Sequence, residues 1–163
     1  MIATVTLLVV LCDILSKYLV VQLLIPLQRS VTVISGVLDF TYVENRGAAF
    51  GMLSESRWIF MSVSVVFIFS LVYILKQKYT DNLIYNLSLC LILGGGIGNM
   101  IDRIFLGYVV DFIEVTFVDF AVFNIADSAI CVGTALFIVY LLFFDTVFFP
   151  KKSKEATADD SGN

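Results

Sequence analysis

Two aspartates are the residues of this chain best suited to carry out chemistry. Asp111 lies in the segment VVDF and Asp127 in FNIAD, at the two edges of a short loop between long apolar segments. An ionisable side chain beside lipid is costly and is therefore a candidate functional residue. The 163 residues contain no histidine, so acid–base or hydrolytic chemistry has to proceed without imidazole. Carboxylates are then the leading candidates.

A pair of carboxylates has a defined chemistry if the fold brings the two groups together. Two carboxylates within hydrogen-bonding distance cannot both ionise comfortably, so the pair shares a proton. The ionised member can act as a base on water while the protonated member polarises a carbonyl. Asp102 is a third candidate, but Arg103 follows it directly and would keep it ionised and structurally occupied. The residues alone leave open whether Asp111 and Asp127 form such a pair or are separate loop and helix-cap carboxylates.

Most other hydrolytic arrangements are excluded by composition. Without histidine there is no Ser-His-Asp triad, no Cys-His pair and no H-E-x-x-H zinc site. A Ser/Lys dyad remains open, but Asp13 lies four residues before Lys17 and would keep that lysine protonated and a poor base. Asp13 and Lys17 form either a structural ion pair or a support beneath an active site. The three cysteines have unrelated spacings, which suggests neither a metal site nor a disulfide framework.

The composition is that of an integral membrane protein, with 60% apolar and 15% charged residues. Four apolar stretches are long enough to cross a bilayer of ~30 Å, at about 2–25, 58–75, 83–101 and 124–147. We therefore predict an all-α membrane protein with four transmembrane helices in a single domain, 1–150. The tail 151–163 is polar, lacks apolar residues to bury and is predicted to be disordered. The net charge of −4 indicates no nucleic-acid partner.

The segment 26–57 is the only sizeable region between predicted spans. Its residues SVTVISGVLDFTYVE alternate in polarity on either side of Ser35-Gly36, which predicts a small extracytoplasmic β-hairpin with a tight turn. The glycines and alanines of NRGAAFG, which follows, allow close backbone approach and sharp turns. In the third span, Gly94 and Gly98 are four apart, a spacing that lets two membrane helices approach closely.

The distribution of lysines predicts the orientation of the chain. Basic residues near the ends of spans are retained in the cytoplasm. Two lysine clusters, at 76–78 and 151–154, fall on one side of the membrane if both termini are cytoplasmic. The aspartates of 102–127 then lie near the outer face. A proton-coupled transporter or accessory membrane protein is the competing class, but a proton path predicts carboxylates staggered across the bilayer.

Five motifs occur in an order and spacing that resemble one known family. The motifs are DILSK, ENRGAAFG, GGGIGNMIDR, VVDF and FNIAD, and the chain resembles lipoprotein signal peptidase, also called signal peptidase II, over about 13–145. The resemblance implies an aspartic endopeptidase of the bacterial cytoplasmic membrane. Such an enzyme cleaves a prolipoprotein just before its diacylglyceryl-modified cysteine. The implied partners are these prolipoproteins, membrane lipids and inhibitors of the globomycin type, and no metal or organic cofactor is implied.

The resemblance also implies roles for individual residues. It makes Asp111 and Asp127 the catalytic dyad, Asp13 and Lys17 a supporting polar pair, and Asp102 a structural carboxylate. The small residues at 47–49 could close over a bound peptide as a lid. The residues implied to shape the substrate pocket are Asn45, Arg46, Gly47, Ala48, Ala49, Phe50, Asn99, Arg103 and Asn124.

Overall fold

A computed structural model describes residues 2–27, 30–47, 57–77 and 82–144, and these ranges are mostly helical. Their elements, in chain order, are α1 (Ile2–Leu24), β1 (Ser30–Ile34), β2 (Leu38–Asn45), α2 (Arg57–Gln77), α3 (Leu83–Phe105), β3 (Val109–Val115) and α4 (Ile125–Phe143). By length and composition α1, α3 and α4 could each cross a membrane, whereas the apolar part of α2 is the shorter stretch Met61–Ile74. The prediction of a mostly helical membrane protein with a small β-hairpin is confirmed, and the number of spans and the side on which the hairpin lies stay predictions. The predictions for Ala48, Ala49, Phe50 and the tail 151–163 lie outside the described residues.

Helix α3 is the centre of the helical bundle, and α1, α2 and α4 all pack against it. Its glycines make the close approach possible, because a Cβ at Gly94 would lie 2.7 Å from the Val9 side chain of α1. A Cβ at Gly95 would collide with the backbone carbonyl of Ala126 in α4. At Gly98 it would lie 2.5 Å from the Asp13 carboxylate. The close approach predicted from Gly94 and Gly98 is therefore confirmed, and Gly95 adds a second contact surface.

Local capping fixes the end of α3 and the start of α4, on either side of β3. Gly107 has a φ of 87°, and its N–H donates back to the Asp102 carbonyl at 3.2 Å, so a left-handed residue ends α3 and turns the chain into β3. Helix α4 begins with a capping box: the Asn124 side chain accepts from the Asp127 N–H, and the Asp127 side chain accepts from the Asn124 N–H. Asp127 is thus part of the cap of α4, and Asp111 lies in the strand that follows the turn at Gly107.

The three strands form one antiparallel sheet in the order β1-β2-β3. The hairpin predicted around Ser35-Gly36 is confirmed, with Gly36 at a φ of 70° in the turn. The third strand lies between the predicted spans 83–101 and 124–147, where the sequence predicts only a short loop. It pairs with β2 so that Val43 is opposite Asp111 and Asn45 is opposite Val109. This register places Asn45 beside Asp111.

The sheet packs on the C-terminal end of α1. Val20 and Leu24 of α1 form a buried cluster with Tyr42, Val110 and Phe112. Side chains alternate across a strand, so residue 111, between the last two of these, faces away from the cluster. The packing of its neighbours therefore directs the Asp111 carboxylate toward α4.

Two adjacent glycines of α3 provide a matched test of this packing. Gly95→Ala pushes a methyl group into the α4 backbone and should destabilise the protein by about 1–3 kcal/mol. Gly96→Ala, whose nearest contact would be Ile68 at an ordinary 3.7 Å, should be neutral or stabilising by up to about 1 kcal/mol, since alanine favours helix. Thermal unfolding in detergent micelles measures both. Equal stability of the two variants would contradict the close α3–α4 contact.

Candidate active site

A buried lysine lies at the centre of the polar end of the bundle. The Lys17 Nζ atom is 2.7 Å from Asp13 Oδ2 and 3.0 Å from Asp102 Oδ2. It also donates to Asn99 Oδ1 at 3.0 Å. All four side chains are buried. The predicted Asp13–Lys17 pair is confirmed, and Lys17 also pairs with Asp102, for which the sequence predicts Arg103 as the neighbouring cation.

The two carboxylates beside Lys17 also hold backbone groups of other elements. Asp13 Oδ1 accepts the N–H of Ala126 in the first turn of α4 at 2.9 Å. Asp102 Oδ2 accepts the N–H of Val110 in β3 at 3.1 Å. The lysine and its carboxylates therefore join α1 and α3 to β3 and α4, and these last two elements carry the two candidate aspartates.

Asn99 transmits this arrangement to Asp127. Its side-chain oxygen accepts from Lys17 and, at 3.1 Å, from the Asn124 amide. An amide side chain has one acceptor end and one donor end, so the Asn99 NH₂ group must face the other way. It donates to Asp127 Oδ1 at 2.7 Å. The positive charge of Lys17 thus fixes which end of the Asn99 amide meets Asp127.

Asn124 contacts both candidate aspartates. Its Oδ1 atom accepts the Asp127 N–H at 2.9 Å, and its backbone N–H donates to Asp127 Oδ2 at 3.2 Å. Its Nδ2 atom donates to Asp111 Oδ1 at 2.6 Å. One asparagine, fully buried, therefore sets the position of Asp111 relative to Asp127.

The environment of Asp111 makes its carboxyl group easier to protonate than that of an ordinary aspartate. The side chain is 1% exposed, and its second oxygen accepts from Asn45 Nδ2 at 2.8 Å. Burial raises the pKa of Asp111 to about 6, the hydrogen bond from Asn45 opposes this rise, and the charge of Asp127 adds to it. The ionisation of Asp111 therefore depends on the neighbouring carboxyl group of Asp127, as in a carboxyl pair.

Both aspartates open onto one cavity of about 500 Å³. Asn45, Gly47 and Arg103 form its polar side together with the two aspartates. The remaining wall is mostly apolar and comes from the β3–α4 connection and from α4: Phe120, Ala121, Val122, Phe123, Ser128, Cys131 and Val132. Such a cavity could admit an extended peptide or an apolar group beside two carboxyl groups and one guanidinium.

The predicted site residues do not all lie at this cavity. Asn99 and Asn124 lie behind the aspartates and hold them, as described above. The Arg46 side chain is 64% exposed and forms a 2.9 Å ion pair with Glu44, and its guanidinium lies 5.6 Å from the centre of the Tyr108 ring. Ala48, Ala49 and Phe50 lie outside the described residues.

The apolar wall of the cavity was not anticipated from the sequence. Ser128, Cys131 and Val132 follow Asp127 by one, four and five positions, and on a helix this spacing places them on the adjoining surface. That signal was available, but in an apolar helix such residues resemble any lipid-facing position. Nothing in the segment 120–123 distinguishes a cavity wall from an exposed loop.

The chain is similar to signal peptidases in sequence and to a bacterial membrane enzyme in structure. A family model described as signal peptidase (SPase) II matches residues 5–143. The chain is 49% identical to the lipoprotein signal peptidase of Caldanaerobacter subterraneus over 83% of this chain and 91% of that protein, and 42% identical to that of Lactobacillus johnsonii over 85% and 90%. Its structure is similar to that of a bacterial membrane enzyme solved by the in meso method at 2.3 Å resolution, with a TM-score of 0.81, 33% identity, and coverage of 96% of this chain and 94% of the other.

Replacement of Lys17 tests the arrangement beneath the aspartates. Lys17→Met leaves Asp13 and Asp102 buried without their shared cation and should destabilise the protein by about 3–5 kcal/mol. Arg46→Met removes an exposed ion pair with Glu44 and a contact with the Tyr108 ring, and should cost about 1 kcal/mol or less. Unfolding of both variants in detergent micelles gives the comparison. Equal effects would show that Lys17 is not an organising charge.

Proposed function

This chain belongs to the signal peptidase II family, and from that premise we propose that Asp111 and Asp127 are its catalytic dyad. The protein is a membrane aspartic protease that removes signal peptides from prolipoproteins. The observation that carries the assignment of the dyad is the shared bridge through Asn124 to two carboxyl groups on one cavity. Neither Asp102 nor Asp13 is a comparable candidate, because both are engaged with Lys17.

The two aspartates have different surroundings, which supports different roles. Asp127 lies in the first turn of α4, where the backbone N–H groups and the helix dipole favour a negative charge. Asp111 is buried in β3, and its raised pKa makes protonation easier than for an ordinary aspartate. We therefore assign the role of base to Asp127 and the role of proton donor to Asp111.

These roles give a complete peptidase cycle. Asp127 takes a proton from a water molecule as the water oxygen attacks the scissile carbonyl carbon, and Asp111 donates its proton to the carbonyl oxygen. The product is a tetrahedral diol. On collapse Asp111 takes back a hydroxyl proton, Asp127 protonates the leaving nitrogen, and the peptide C–N bond breaks. The pair ends with the one proton it began with.

The surrounding residues support this chemistry in distinct ways. Asn99 and Asn124 donate hydrogen bonds that hold Asp127 and Asp111 in position. Asn45 of β2 donates a further hydrogen bond to Asp111. Arg103 lines the same cavity and is suited to a substrate carbonyl or to negative charge that develops in the transition state. The assignment of Arg46 to substrate binding stays a prediction, and its ion pair with Glu44 favours a place beside the cavity.

The substrate class follows from the family and from the position of the cavity. We propose that the substrate is a prolipoprotein whose cysteine already carries a diacylglyceryl group, cut just before that cysteine. Acyl chains anchored in the bilayer would hold the scissile bond at the depth of the dyad, next to the apolar wall of the cavity. Peptide inhibitors of the globomycin type would occupy the same cavity, and membrane lipids would surround it.

We propose that the chain crosses the membrane four times. Helix α2, with Lys76 in its last turn, would provide the fourth crossing beside α1, α3 and α4. Both termini would then lie on the cytoplasmic side of the bacterial inner membrane, with the sheet and the dyad near the outer face. The carboxyl groups that contact Lys17, Asn99 and Asn124 belong to one polar cluster, which favours a single site over a proton path across the bilayer.

Conservative substitutions of the dyad test the proposed function. Asp111→Asn and Asp127→Asn keep the shape of the side chain but cannot exchange the proton, so each should lower cleavage at least about a hundredfold while the protein remains folded. Asp119 is an exposed carboxylate in the connection between β3 and α4. The Asp119→Asn variant is therefore the matched control and should cleave normally. The assay is a gel shift with purified enzyme and a diacylglyceryl-modified precursor. Near-normal cleavage by either dyad variant would show that the assignment is wrong.

A further inference from the structure

A second groove adjoins the catalytic cavity on the other side of α4. It encloses about 360 Å³ between α1 and α4 and is lined by apolar side chains, among them Leu8 and Cys12 on α1 and Ala129 and Val132 on α4, with Leu91 of α3 as its floor. Ser128 also lines it, but its hydroxyl donates to the Asn124 carbonyl at 2.9 Å. The groove therefore presents no charge, and its one hydroxyl is already engaged within the helix.

The groove exists because α1 and α4 pack more extensively on α3 than on each other. At one end the two helices are joined by the hydrogen bond from the Ala126 N–H to Asp13. Ala126 directly precedes Asp127, so this closed end lies beside the catalytic pair. Away from it the groove opens where Leu8 and Val132 are more than half exposed, on a surface that faces lipid in a membrane.

The groove adjoins the catalytic cavity across the surface of α4. Ser128 and Val132 line both spaces, so these two side chains form the ridge between them. The α4 residues of the groove extend from Ile125 to Val132, about 10 Å along a helix. An open apolar groove of this length, facing lipid and beginning beside the dyad, can hold part of one hydrocarbon chain.

We propose that this groove binds an acyl chain of the lipid-modified cysteine during cleavage. The proposal rests on the proposed function, because only a substrate acylated next to its scissile bond brings a hydrocarbon chain to the groove while that bond reaches the dyad. The chain crosses the ridge formed by Ser128 and Val132 and lies along α1. Leu8 and Cys12 are then residues that select substrates by their acyl chains.

The free energy gained when an acyl chain moves from the bilayer into the groove should be small, because lipid tails are as apolar as the groove. Binding there gains close packing and, above all, orientation of the scissile bond relative to the dyad. The groove should therefore affect the preference among acylated substrates more than the overall affinity for the membrane-bound precursor.

Two leucines of α1 form a matched pair for the test. Leu8 lines the groove and Leu7 does not, although their exposed fractions are 55% and 56%. Leu8→Trp fills the groove, and Leu7→Trp adds the same bulk on the other side of the helix. Each purified variant is assayed by gel shift with two synthetic precursors that differ only in their acyl chains, one dipalmitoyl and one dibutanoyl, whose chains are too short to extend along the groove. Cys12→Phe is a second variant that fills the groove.

The measured quantity is the ratio of kcat/KM for the dipalmitoyl precursor to that for the dibutanoyl precursor. Leu8→Trp and Cys12→Phe should lower this ratio about fivefold, because the longer chain loses its place in the groove, and Leu7→Trp should leave it unchanged. An unchanged ratio in both groove variants would overturn the proposal and would identify the groove as a site for bulk lipid. If the wild-type enzyme cleaved neither precursor, the proposed substrate itself would be wrong.

Discussion

The amine of Lys17 is the charge on which the polar end of this protein depends. An ammonium group buried among apolar helices is stable only if its partners compensate for the lost hydration. Here the partners are Asp13, Asp102 and the side-chain oxygen of Asn99. Each carboxylate also accepts a backbone N–H, one from α4 and one from β3. These elements cannot move apart without leaving a buried charge or a buried donor unpaired, so one lysine fixes the frame of the site.

The same charge determines how the amides meet the aspartates. Because the oxygen of Asn99 accepts from Lys17 and the oxygen of Asn124 accepts from a helix N–H, both NH₂ groups are left to donate to carboxylates. Asp127 and Asp111 are thus held by donors from behind, while their remaining surfaces open onto the cavity. The structural polar network and the proposed catalytic pair are therefore one connected system.

Features set by residues close together in the sequence could be predicted, whereas contacts between residues far apart in the sequence could not. The helices follow from long apolar runs, the hairpin from alternation around Ser35-Gly36, and the Asp13–Lys17 pair from helical spacing. The strand Val109–Val115 was missed because its first four residues are all buried, which removes the alternation that indicates a strand. The contact of Lys17 with Asp102 was missed because the two residues are far apart in the sequence, and no local pattern reports which cation a buried carboxylate will meet. The five motifs identified the family, but only the structure shows Asn124 joining the two aspartates.

The most direct test of this account is a titration of the Asp111 carboxyl group by ¹³C NMR in detergent micelles, in the native protein and in the Asp127→Asn variant. The account predicts a pKa of about 6 for Asp111 in the native protein. It also predicts a lower pKa in the variant, because removal of the neighbouring negative charge makes ionisation of Asp111 easier. An Asp111 pKa that is the same in both proteins would contradict the central claim, since the two carboxyl groups would then titrate independently.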